Sequence, residues 1–250
     1  MTILQGAGLV LVGALASAIN AVAGGGSLLS FPYIVGLGIG DKIANATNSV
    51  GLWPGSLTGG LGFMNRFGAT KKYLRAMIPP TLVGSALGAV LLLNTPTKAF
   101  RQAIPFLILL AAVLLLLQPR VKALVGKRAL PAWAAPLLQL LVALYGGFFG
   151  AGMGIMMLAL FALTMEGDLH ELNAVKNWLS LLINLVCSSV FLVKRLVLPL
   201  EGGLLVLGGL VGGYVAAYVS QRFDPNRLRT VIAVYGLGMA AWFFYRAFGA

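Results

Sequence analysis

The sequence predicts an all-α integral membrane protein of about eight transmembrane segments, in two homologous four-segment repeats. Three observations lead there: a shortage of charge, apolar runs of membrane-crossing length, and a constant offset that lays one half of the chain over the other. Hydrophobic residues make up 59% of the 250 and charged residues only 10%, with a mean hydropathy of +0.94. A soluble domain carries about 25% charged residues, because water must be met by groups it accepts. Lipid is therefore the expected solvent for most of this exterior.

The long apolar runs fall at 6–39, 43–65, 73–94, 99–118, 132–164, 171–193, 197–220 and 228–247. They are continuous rather than alternating and far longer than a membrane strand of about 10 residues, so helices are expected. The polar stretch 119–131 divides the chain into a first repeat over 1–118 and a second over 132–250. Adding 128 carries Gly24 and Gly26 onto Gly152 and Gly154, Ala23 onto Ala151, Asn45-Ala46 onto Asn173-Ala174, and Arg101 onto Arg229. Ungapped matches at Gly, Asn and Arg are harder to obtain by chance than apolar ones.

The opening segment of each repeat is too long for one crossing. Residues 6–39 would make a helix of about 50 Å against a hydrocarbon core of about 30 Å. Each is interrupted by glycine, at Gly24-Gly25-Gly26-Ser27 and at Gly150-Ala151-Gly152-Met153-Gly154. Glycine costs about 1 kcal/mol against alanine inside a helix, so each opening segment is expected as two shorter helices joined at a glycine loop. Paired broken segments point to a transporter's binding site. The N–H groups opening the second piece lack helical carbonyl partners and favour an anion.

A polar cluster follows each break: Asn45, Thr47, Asn48 and Ser49 in the first half, Asn173, Lys176 and Asn177 in the second. Residues spaced three and four apart share a helix face, and amides and hydroxyls offer hydrogen bonds to an oxyanion. Lys176 adds one positive charge, or snorkels to the head groups. The expected substrate site is Asn20, Gly24, Gly25, Gly26, Ser27, Asn45, Thr47, Asn48, Gly152, Met153, Gly154, Asn173, Lys176 and Asn177. Gly208-Gly209 and Gly212-Gly213 are expected to serve helix packing. Arg101 and Arg229 are expected at the membrane interface, and Asp41, Glu166, Asp168 and Glu171 as solvated acids at helix exits.

These residues resemble the sulfite exporter TauE/SafE family of membrane permeases. The resemblance rests on Asn20 to Ser27 with Pro32, Ala44 to Asn48, Gly146 to Gly154, and Asn173 to Asn177. It implies a bacterial-type permease, multi-pass in the plasma or inner membrane, for sulfite, an organosulfonate or a related sulfur-containing anion. Thr47 and Asn48 align with Val175 and Lys176, so the site is not expected to be fully symmetric.

The expected partners are a small anionic substrate and the lipid bilayer. The net charge of +12 is read as topology and anionic lipid rather than nucleic acid. One cysteine, one histidine and few intramembrane acids weigh against a membrane-embedded enzyme, a metal site or a cofactor. A passive anion channel and a permease for another small solute remain as alternatives, and oligomeric state is left open. Topology is left open too. Opening segments that cross once make parallel repeats with both termini cytoplasmic; re-entrant hairpins make inverted repeats with both termini outside. Lys and Arg divide 11 to 6 either way, Lys176 apart.

Overall fold

The computed structural model describes residues 1–22, 24–62, 71–124, 130–131, 133–219 and 225–249; the side chains of 22, 62, 72, 121, 122, 169, 216–219 and 225–229 are also left undescribed. Ala23, the centre of the 119–131 stretch and the Arg229 side chain thus lie outside the description. The described residues form helices α1 (Ile3–Val22), α2 (Ser27–Gly36), α3 (Asp41–Gly62), α4 (Lys71–Asn94), α5 (Thr97–Lys122), α6 (Ala134–Phe148), α7 (Met153–Thr164), α8 (Leu169–Val193), α9 (Pro199–Val219) and α10 (Pro225–Phe248), with no strand among them.

The helices fall at the eight apolar runs, and the first and fifth runs each divide in two at their glycines. Five helices among the described residues, α1, α4, α5, α8 and α10, are long and apolar enough to cross a membrane. The two pieces of the first run are unequal in length. α1 has 20 residues, about 30 Å and so long enough for a crossing, whereas α2, α6 and α7 have 10, 15 and 12 residues. The apolar run that feeds α1 starts early enough to complete about five turns before Gly24 stops it.

Each break is a hairpin. A side chain at Gly26 would meet the Ala16 carbonyl, while near the other end of α2 the Tyr33 hydroxyl donates to Gln5 O at 3.3 Å. α2 therefore runs back along α1. α7 runs back along α6 in the same way, with Gly146 against Met153 and Leu130 N donating to Leu163 O at 3.1 Å. The turns need glycine: Gly24 and Gly152 have φ of +80° and +76°, which other L-residues adopt at a cost.

Small residues set how the other helices meet. Gly208 and Gly212 press on the α1 carbonyls of Val10 and Ala14, so α9 lies parallel to and tight against α1. Gly84 and Gly88 press likewise on the α6 carbonyls of Leu140 and Leu144, and α4 is parallel to α6. The packing role expected of Gly208 and Gly212 is what the structure shows. α3 meets α8 antiparallel, with Ser56 beside Asn184 and Gly60 beside Trp178. α5 meets α10 antiparallel as well, with Phe106 on Phe244 and Ala112 near Gly236.

Candidate functional site

The two hairpin tips touch. A Cβ built on Gly24 would lie 2.9 Å from the Gly154 Cα, and one built on Gly154 would lie 2.9 Å from the Gly24 Cα. No side chain separates the two backbones there. The contact brings the N-termini of α2 and α7 together in the interior, and the turn carbonyls take only part of each first turn: Leu28 N and Leu29 N donate to Gly25 O and Gly26 O, and Met153 N and Ile155 N to Gly150 O and Gly152 O.

Beside the tips lies a small cleft lined by Asn20, Ser27, Asn48, Ser49, Leu52, Gly146, Phe149, Gly150, Met153 and Asn184. Its free space of about 10 Å³ is room for about one water. Asn48 and Ser27 are buried, and Asn48 Oδ1 accepts from the Ser30 hydroxyl. Asn184 reaches Ser56 Oγ at 3.4 Å. Amides, hydroxyls and glycine backbone line it together with the apolar Leu52, Phe149 and Met153, and no charged side chain does.

Of the expected site residues, Asn20, Ser27, Asn48 and Met153 line this cleft. Gly24 and Gly154 form the tip contact; Gly26 packs on α1 and Gly152 on Ala111 of α5. Gly25 meets the Leu115 side chain at ordinary contact distance. Asn45 turns to the second hairpin, its Nδ2 donating to Phe148 O at 3.1 Å. Thr47 faces elsewhere: its hydroxyl accepts from Leu198 N at 3.1 Å, where α9 begins. Asn173 is buried, and Asn177 lies against Gly59 of α3. Lys176 does not snorkel. It is 1% exposed, and its Nζ donates to Asn20 O and Ala21 O, both at 3.3 Å.

Six cleft residues were outside the expected set: Ser49, Leu52, Gly146, Phe149, Gly150 and Asn184. Asn184 stands alone in an apolar run, and a lone amide there looks like helix-packing glue. Phe149 is one apolar residue among many until the backbone turns.

One end of the cleft is closed by aromatics. Phe149 packs edge-on against Phe31 with centroids 5.2 Å apart, and Phe31 stacks on Phe243 at 5.7 Å. Arg246 lies 5.9 Å over the Phe243 ring and binds Asp41, Nη1 to Oδ1, at 2.7 Å. Arg101 Nε binds Asp41 Oδ2 at 3.0 Å. Asp41, at the start of α3, is thus not a solvated acid; it is buried and ties α3 to α5 and α10. Asp168 and Glu171 form a capping box at the start of α8, with Glu171 N to Asp168 Oδ1 and Asp168 N to Glu171 Oε2 both at 2.9 Å.

Crossing-length apolar helices around a buried polar break define a multi-pass membrane protein, and the comparisons give its class. The sulfite exporter TauE/SafE family model matches residues 9–243, so the chain belongs to that family of membrane transporters. Similar proteins include a probable membrane transporter protein of Haemophilus influenzae, 27% identical over 94% of this chain and 92% of the relative. The probable membrane transporter protein YfcA of Escherichia coli K12 is 25% identical over 96% and 90%. The probable membrane transporter protein ORF9 of a Sinorhizobium species is 24% identical over 90% and 87%. No solved structure matches the chain.

Proposed function

We propose that this transporter is a secondary permease for a small sulfur-containing oxyanion, sulfite or an organosulfonate, bound between the two hairpin tips. The contact of Gly24 with Gly154 carries the reading, because it sets two helix N-termini beside a cleft lined by Asn20, Ser27, Asn48, Ser49 and Asn184. N–H groups, amides and hydroxyls together suit an oxyanion that must shed water. The family model's description, sulfite exporter, agrees with that ligand class. A cleft with room for one water favours alternating access over an open channel.

The test is uptake of labelled sulfite by proteoliposomes, with sulfate and an organosulfonate as competitors. Saturable uptake that falls at least about ten-fold in Asn48→Leu is expected. Folded protein that takes up no sulfur anion would move the reading to another solute.

The same reading includes two inverted repeats, each entering through a re-entrant hairpin. Its support is that helices equivalent under the offset of 128, α3 with α8 and α5 with α10, lie antiparallel. The ends of α3, α5 and α9 with their connections then carry eleven Lys and Arg against six at the other side, Lys176 apart. The richer side is cytoplasmic by the positive-inside rule, which puts the start of α1 and the end of α10 outside. Cysteines introduced at Gly40 and His170, with Cys187 replaced, are expected to react with an impermeant maleimide from opposite faces, Gly40→Cys from outside. Reaction from one face would restore the parallel arrangement.

A further inference from the structure

We propose that Lys176 sets the sign of the charge this site accepts, acting on the end of α1 rather than touching the ligand. The inference rests on the anion reading above and explains how that selectivity arises. Each break presents two opposed helix ends. The N-termini of α2 and α7 are positive, and the C-termini of α1 and α6 are negative. An anion held by the first pair is repelled by the second.

The two negative ends are treated differently. At the end of α6, Phe148 O accepts from the Asn45 amide, a neutral donor. At the end of α1, Asn20 O and Ala21 O accept from the Lys176 ammonium. Asn20 itself lines the cleft, while Lys176 does not. The lysine stem passes the tip contact: its Cδ lies 3.4 Å from where a Cβ on Gly154 would sit. Among the described residues, Lys176 and Asp41 are the fully buried charges, and Asp41 is tied to Arg101 and Arg246.

Lys176 therefore cancels one of the two negative ends at the cleft, while the other, where Gly146, Phe149 and Gly150 line it, is met by the neutral Asn45 amide; the positive helix ends are left to dominate. Half-helix C-termini and unwound carbonyls are the groups that coordinate cations in broken-helix transporters. Here the ammonium occupies that place. Without it, the Asn20 and Ala21 carbonyls would favour a small cation such as Na⁺. Lys176 is a positioning residue, and its role is electrostatic.

Wild type, Lys176→Gln and Lys176→Arg are compared by sulfite uptake and by melting temperature in NaCl against choline chloride. Wild type and Lys176→Arg are expected to share a KM within about three-fold and to melt alike in both salts. Lys176→Gln is expected to raise KM at least about ten-fold, with a smaller change in kcat, and to melt higher in Na⁺. Folded Lys176→Gln with unchanged KM and no response to Na⁺ would overturn the proposal. So would Lys176→Arg losing as much affinity as Lys176→Gln. If Lys176→Gln does not fold, Lys176→Arg and wild type decide: a raised KM in the arginine variant, or Na⁺-dependent melting of wild type, overturns it. Should wild type carry no sulfur anion, the anion reading fails, and the gain of Na⁺ response in Lys176→Gln still decides the role of Lys176.

Discussion

Leucine at Gly154 is expected to abolish transport and to lower the melting temperature of the purified protein by several degrees. The first atom of any side chain there would lie 2.9 Å from the Gly24 Cα, and backbone cannot swing aside as a side chain can. Overpacking of this kind costs about 1–3 kcal/mol, and here it also pries apart the tips that shape the cleft. Leucine at Gly24 is expected to be worse, because φ is +80° and the strain of a left-handed residue adds about 1–2 kcal/mol. Alanine at Gly25 is the control. Its Cβ would meet Leu115 at 3.4 Å, an ordinary contact, so near-normal uptake is expected. Folded Gly154→Leu with wild-type uptake would remove the tip contact from the mechanism.

The Asp41 cluster yields the second large effect, and its size depends on which partner is lost. Arg101 and Arg246 retain 46% and 29% side-chain exposure, whereas the Asp41 carboxylate has none. Replacing Asp41 by Asn leaves two arginines that can turn to water and is expected to cost about 1–2 kcal/mol. Replacing both arginines by Gln leaves a buried carboxylate without its cations, expected to cost about 3–5 kcal/mol. Thermal unfolding of the two variants side by side gives the order; equal losses would mean that Asp41 is hydrated in the folded protein. Asp41 also stands one and two turns below Asn45 and Asn48 on α3. Loosening the cluster is therefore expected to raise maleimide labelling of Ser49→Cys from the α3-start side.

The sequence showed the two breaks because a glycine cluster inside an over-long apolar run marks where a helix has to stop. It singled out Asn20, Ser27 and Asn48, which line the cleft, because polar side chains at membrane depth must find partners. It did not show that the tips meet, since Gly24 and Gly154 lie far apart in the chain and carry no side chains to pattern. Asp41 looked solvated because its partners lie 60 and 205 residues away. Thr47 looked equivalent to Asn48 because adjacency in sequence conceals that the two side chains point to α9 and to the cleft. The direction of the helices was hidden because charge divides 11 to 6 under either topology.

Contact between bare backbones has a mechanical side. Interlocked side chains hold two helices in register, and sliding them demands that rotamers change together. Gly24 and Gly154 have no rotamers, so relative movement of the hairpin tips is expected to need no side chain to repack. The α1–α9 and α4–α6 seams, with glycines seated on carbonyl ridges, resist such slip. Rearrangement during transport is therefore expected at the centre, where the two tips meet between flanks held by glycine-on-carbonyl seams.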